Sequence, residues 1–214
     1  VRAVIARNTG LKPGDVYVLN APYQGGTHLP DVTVIKPVFA AGAEGSGHTP
    51  LFFVASRGHH ADIGGTVPGS APCDSITIHQ EGVLLDNVLL VEHDRFLEAE
   101  ILALLTGGEW PARNPAQNVA DLKAQVAACQ KGASELARVI GHYGLDVVHA
   151  YMGHVKDNAT ESVRRVIDGL SDCSFTAEAD DGSRVAVAIR ADRAARSAVI
   201  DFTGTSPTHP GNFN

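Results

Sequence analysis

The chain has 214 residues, 44% hydrophobic and 19% charged, a balance ordinary for a globular protein long enough to bury a sizeable core. A net charge of −7 with no Lys/Arg cluster excludes a nucleic-acid surface, because nothing is present to neutralise a row of phosphates. No apolar run approaches the roughly 18 residues that a membrane-spanning helix needs, so neither a membrane span nor membrane binding is expected.

The N-terminus, Val1-Arg2-Ala3-Val4-Ile5-Ala6, has no signal-peptide core and no initiator Met, so the chain reads as a segment of a longer protein about whose targeting it says little; the sparse, unpaired cysteines lead to the expectation of a cytoplasmic location. Leu11-Lys12-Pro13-Gly14-Asp15 predicts a turn, followed by a short strand over Val16 to Leu19. A β-branched strand is expected from Val32 to Phe39, and a flexible loop from Gly42 to Pro50. Leu51 to Ala55 is continuously apolar and suits a strand buried on both faces that gives way to a loop at Ser56. A further strand is expected within Gly82 to Val91.

The middle reads as helical. Asn114-Pro115 supplies an N-cap and a first-turn proline. Val119, Leu122, Val126, Cys129, Leu136, Val139 and Ile140 follow at helical spacing, with a break expected near Gly132. Gly144 ends that helix, and Asp146 is expected to cap a second one. The second helix carries the apolar stripe Val148, Tyr151, Val155, Ala159, Val163, Val166 and Ile167, and stops at Gly169. Two long helices with a short connection predict an αα-hairpin. Phe175 to Glu178, Val185 to Ile189 and Ala198 to Phe202 then read as three strands, the first two joined by an Asp181-Gly182 turn. The order is β-rich over residues 1–95, helical over 113–170 and β-rich over 174–214. It predicts an α+β fold with mixed β-sheet regions flanking a long central αα-hairpin.

Cys73, Cys129 and Cys173 are odd in number and far apart, and read as reduced, buried thiols. The ten histidines are many for this length and give the first hint of chemistry. Two clusters concentrate it: Gly25-Gly26-Thr27-His28-Leu29-Pro30-Asp31 and Gly58-His59-His60-Ala61-Asp62-Ile63-Gly64-Gly65. Each sets imidazole and carboxylate, the ligands of Zn, Mn or Fe, beside paired glycines that allow close backbone approach. The i, i+3 pairs His28/Asp31 and His59/Asp62 aim together on a tight loop but diverge in an extended strand. A His or Asp beside glycines also commonly caps a turn, so spacing leaves metal binding and capping both open. Neighbouring His59 and His60 do not both face one site. Glu81 is a third candidate carboxylate, and Arg57 suits an anionic substrate group or an ordinary ion pair. The final stretch, Gly204 to Asn214, reads as a ligand-lining or a connecting loop. GxxxxGK[ST], GxGxxG and GxSxG motifs are all absent, which excludes a P-loop, a dinucleotide fingerprint and a serine-hydrolase elbow.

Ala21-Pro22-Tyr23-Gln24-Gly25-Gly26-Thr27-His28-Leu29-Pro30-Asp31-Val32, Ala55-Ser56-Arg57-Gly58-His59-His60-Ala61-Asp62-Ile63-Gly64-Gly65, Pro68-Gly69-Ser70 and Gln80-Glu81-Gly82 together resemble the hydantoinase B and 5-oxoprolinase family. Arg113-Asn114-Pro115, Tyr143-Gly144-Leu145-Asp146 and Asp201-Phe202-Thr203-Gly204-Thr205 continue the resemblance in order along nearly the whole chain. It implies a fragment of a larger hydantoinase B-like domain, lacking an N-terminal strip and a large C-terminal portion. It further implies a partner, a hydantoinase A-like domain or subunit that uses ATP and Mg to phosphorylate the substrate oxygen. The expected activity is ATP-dependent opening of 5-oxo-L-proline or a similar lactam or hydantoin to the amino acid, within an oligomer.

By the same resemblance a divalent metal (Zn, Mn or Fe) is expected on Asp31, His59, Asp62 and Glu81. His60 and His28 are then acid/base groups, and His79 stands outside the set. Arg57 is carried as the substrate-binding residue. A hydantoinase or ketone carboxylase subunit, and a non-catalytic scaffold docking the ATP-using part, are the alternatives.

Overall fold

The computed structural model describes residues 1–40, 42 and 49–208. Most of the loop expected at Gly42 to Pro50, and the end of the stretch expected to line a ligand, lie outside the described residues. The chain divides into two compact units, Val1–Ala137 and Arg138–Asn214. Its fold class is α+β, with a long central helical region, as the sequence predicts.

The first unit is built on an antiparallel sheet of β1 (Val16–Leu19), β2 (Asp31–Val38), β3 (Phe52–His59), β4 (Val88–Glu92) and β5 (Arg95–Phe96), in the order β3-β2-β1-β4-β5. Helices α1 (Arg2–Arg7), α2 (Ile78–Glu81) and α3 (Glu98–Thr106) accompany it, with the start of α4 (Pro115–Tyr143). Strand alternation sorts the core into two layers. Val16, Val18, Val32 and Val34 join Ile101 and Leu105 of α3 and Val119, Leu122 and Cys129 of α4. Tyr17, Leu19 and Ile35, on the opposite face, pack with Val4 of α1.

Several expectations are corrected. β3 is an edge strand, not one buried on both faces, and Ala55, Arg57 and His59 are exposed along it. It also continues through Gly58-His59, because full pairing with β2 from Phe52 to His59 outweighs the local glycine. Of the expected Gly82 to Val91 strand only the part from Val88 onward is strand, within β4 (Val88–Glu92). Cys129 is buried, but Cys73 and Cys173 are exposed.

The expected break at Gly132 is absent and α4 runs through it. A Cβ there would lie 2.9 Å from Val54 Cγ1, so this glycine lets the helix approach β3 closely. Helices α1, α2 and α3 have no counterpart in the sequence expectations, although Glu98 and Glu100 in the first turn of α3 complement its dipole.

Helix α4 begins as predicted, with Asn114 Oδ1 accepting from Gln117 N at 3.3 Å. Gly144 alone, at φ 86°, joins α4 to α5 (Leu145–Gly169). Asp146 therefore sits within the first turn of α5 and is not its cap. In the second unit β6 (Cys173–Glu178), β7 (Arg184–Asp192) and β8 (Ser197–Asp201) form an antiparallel sheet ordered β6-β7-β8. Arg196, in the β7–β8 turn, ties that sheet to α5 through Glu161 (3.0 Å) and Asp168 (2.9 Å). Tyr151, Val155, Val163 and Val166 of the α5 stripe are exposed.

The two glycines of α4 give opposite expectations. Gly132→Ala meets Val54 and is expected to destabilise by about 1 kcal/mol or more. Gly141→Ala meets nothing within 4 Å and is expected to stabilise by up to about 1 kcal/mol through helix propensity. Urea denaturation of both variants beside the unsubstituted protein measures the contrast.

Candidate metal and catalytic site

The loop between β1 and β2 is fastened at its root by Asn20, which is fully buried. Its Nδ2 donates to Leu29 O and Val83 O, both at 2.9 Å, and its Oδ1 accepts from Leu85 N at 2.7 Å. The loop then turns tightly, with Asp31 N donating to His28 O at 3.0 Å. The turn brings His28 Nδ1 to 3.0 Å from Asp31 Oδ2. Thr27 Oγ1 donates to the same oxygen at 2.7 Å.

Register supplies the third member. Asp31 opens β2 and pairs with His59, the last residue of β3. His59 Nε2 lies 3.2 Å from His28 Nε2, and the ring centroids are 5.1 Å apart. One donor atom from each of His28, Asp31 and His59 falls within 4.8 Å of the other two. The Thr27 hydroxyl, with the positive fields of His28, Arg57 and His59, holds the Asp31 carboxyl below its ordinary value despite some burial. A mixed imidazole and carboxylate set with His28 half-exposed suits a divalent metal with open positions, as in catalytic rather than structural sites.

The other expected site residues lie apart from this trio. His60 points to the opposite face of the sheet and is 2% exposed. Its Nε2 is 3.2 Å from Gln125 Oε1, and its Nδ1 is 3.0 Å from Asn118 Nδ2. This buried histidine fastens β3 to α4 and lies apart from the trio. Asp62 accepts from Gly64 N and Gly69 N, and from Arg113 through its backbone N and through Nη1 at 2.8 Å. The Asp62 carboxylate caps a turn and pairs with Arg113, outside the trio.

Glu81, on α2, accepts from Ser75 Oγ at 3.0 Å. The expected set Asp31, His59, Asp62 and Glu81 is thus not gathered, and His28 stands with Asp31 and His59 instead. The paired glycines serve packing: a Cβ on Gly64 would lie 2.5 Å from Trp110 O, and one on Gly65 2.6 Å from Glu81 O. Arg57 shares the outward face of β3 with His59, and its Nε donates to Thr33 Oγ1 at 2.9 Å.

Asn118 and Gln125 belong to the stretch that carries the family resemblance but receive no role from the sequence, although both occupy positions of the α4 stripe where Leu122 and Cys129 are buried. A polar residue in an apolar register is the signal that could have found them.

Two measurements follow from these contacts. Gln125→Leu strands the His60 Nε2–H and removes two donations, to Val32 O and Ser56 O, so a loss of about 2–4 kcal/mol is expected in urea denaturation. At Asp62 burial raises the carboxyl pKa, but the bonds from Arg113, Gly64 and Gly69 outweigh it and the net shift is downward. The stability this provides is complete above the ordinary value of 3.8 and is lost as pH falls through the lower folded value. Asp62→Asn is expected to flatten the acid limb of a stability profile below about pH 4 and to cost about 2 kcal/mol at neutral pH.

Residues 1–214 match the family described as Hydantoinase B/oxoprolinase. The chain is 40% identical over 212 residues to 5-oxoprolinase of Dictyostelium discoideum, covering 95% of this chain and 16% of that one. It is also 40% identical, over 228 residues, to 5-oxoprolinase 1 of Arabidopsis thaliana, covering 95% of this chain and 18% of that one. It therefore spans less than a fifth of the length of either relative. The solved ATP-dependent caprolactamase from Pseudomonas jessenii superposes with a TM-score of 0.71 at 30% identity, over 92% of this chain and 33% of that one. Nucleotide-free acetone carboxylase, with a TM-score of 0.74 at 15% identity over 94% of this chain and 28% of its own, shares the fold. Full-length matching to the family and 40% identity to a 5-oxoprolinase together place this chain in the hydantoinase B/oxoprolinase family.

Proposed function

We propose that this chain is part of the ring-opening half of an ATP-dependent cyclic amide hydrolase, acting on 5-oxo-L-proline or a related lactam, and that His28, Asp31 and His59 form its reaction centre. A hydantoinase A-like domain or subunit supplies the ATP chemistry. The observation that carries the reading is the convergence of two imidazoles and an ionised carboxylate on an exposed sheet edge, in a family whose relatives carry the names 5-oxoprolinase and ATP-dependent caprolactamase.

The residues fit a divalent metal by their donor chemistry, and a metal there would polarise a carbonyl or activate water. The chain's own groups set up the rest. Thr27 keeps Asp31 charged. Asp31 receives His28 Nδ1–H and so fixes which nitrogen of His28 faces His59. A lactam needs help at both the carbonyl and the leaving nitrogen, and paired imidazoles can hold the proton that the nitrogen collects as the ring opens.

The continuous contact Asp31–His28–His59 also favours a second reading, a metal-free proton relay. Elemental mass spectrometry on the dialysed parent assembly, unsubstituted and with His59→Ala or Asp31→Ala, separates the two. Near-stoichiometric metal in the unsubstituted protein, lost in both variants with at least about a 100-fold fall in 5-oxoproline-dependent ATP hydrolysis, is the expected result. A folded, active and metal-free assembly would move the reading to the relay.

A further inference from the structure

Strand register places a cation beside the trio. In the β2–β3 pair Thr33 lies opposite Arg57, and two residues away Asp31 lies opposite His59. Side chains two apart leave a strand on the same face, about 7 Å from each other. Arg57 lines a cavity of about 430 Å³ on that face, with Arg2, Ala3, Gln24, Gly25 and Thr33 among its walls. The lining holds two arginines and no carboxylate.

The Arg57 guanidinium is held at one of its three nitrogens. Nε is held by Thr33 Oγ1, while Nη1 and Nη2 make no hydrogen bond or ion pair among the described residues. Its charge reaches the Asp31 carboxylate through space, but no carboxylate among the described residues pairs with it directly. A guanidinium fixed at Nε that lines a cavity whose walls hold no carboxylate matches a planar anionic oxygen group.

We propose that Arg57 is the anion subsite of this reaction centre, binding a carboxylate carried on the lactam ring and so selecting carboxylated cyclic amides over uncharged ones. The assignment rests on the trio being the reaction centre. With the carboxylate on Arg57, a small ring reaches along the β3 face toward His59. A phosphoryl group offers the same oxygen chemistry, and the test distinguishes the two.

The experiment is equilibrium binding by calorimetry to the parent assembly without ATP, so that it is independent of turnover. The probes are 5-oxo-L-proline, uncharged 2-pyrrolidinone and inorganic phosphate, against unsubstituted protein, Arg57→Met and Arg57→Lys. The unsubstituted assembly is expected to prefer 5-oxo-L-proline, and Arg57→Met to weaken that binding at least about 30-fold while 2-pyrrolidinone is unaffected. Arg57→Lys should recover only part of the loss, because one ammonium does not reproduce the fork. Retained metal content and melting temperature in the variants exclude misfolding.

An unchanged preference in Arg57→Met overturns the subsite, as does the absence of any carboxylate preference in the unsubstituted assembly. Loss of phosphate binding with an intact carboxylate preference overturns the carboxylate assignment. If His59→Ala strips metal and activity while Arg57→Met changes nothing, the subsite fails and the reaction centre stands.

Discussion

The side chain of Gln125 holds the edge of the sheet to the long helix, and the geometry of the trio depends on that attachment. Its Nε2 donates to Val32 O at 2.9 Å and to Ser56 O at 3.1 Å, one carbonyl from each of the two strands that carry site residues. Its Oε1 faces His60 Nε2, and Asn118 Nδ2 reaches both His60 Nδ1 and Asp62 O. With Asn118 donating to Nδ1, the His60 proton sits on Nε2 and points at Gln125, so each contact requires the others. Buried polar groups are costly to leave unpaired, which makes this network stringent about register. A slip of β3 by one residue would turn His60 to solvent, bury His59 and strand both amides. The inward histidine thereby keeps its neighbour facing outward, opposite Asp31.

Close approach is the second half of that constraint. Gly58 faces Gln125, where a Cβ would lie 3.2 Å from the amide carbon, and Gly132 lies against Val54 from the helix side. The glycines of the second cluster thus serve helix–sheet and loop packing. They are informative about the fold, and they mark the site only because the site lies on the reverse of the packed face.

This explains what is legible in the sequence and what is not. Periodicity and turn chemistry suffice for β1, β2, the two long helices and the C-terminal strands, because in those segments local preference and tertiary environment agree. β3 reads as ending before Ser56 because glycine and adjacent histidines resemble a loop until pairing with β2 is known. His28 and Asp31 are legible as a pair, since a tight turn at i, i+3 needs no distant information. His59 is legible as a residue but its company is not. Asp62 has the same local spacing to His59 as Asp31 has to His28, yet Arg113, 51 residues away, determines where its carboxylate goes. A carboxylate beside glycines reads alike whether it binds a cation or caps a turn, and only the long-range partner distinguishes them.

The closely approaching, tilted imidazoles carry the strongest chemical implication. His28 commits Nδ1–H to Asp31, so its Nε2 presents a lone pair toward His59 Nε2 at 3.2 Å. That lone pair either accepts a hydrogen bond from His59 in its Nε2–H tautomer or, where His59 Nε2 is also unprotonated, leaves two nitrogens that suit a metal ion. Both states need His28 oriented, and so both depend on Asp31 remaining ionised. The Thr27 hydroxyl, and to a lesser degree the Arg57 charge, favour that state. Asp31 is therefore the residue on which the metal and relay readings converge. Its removal should disable the centre under either one, whereas the metal content of the intact assembly identifies which of the two is in use.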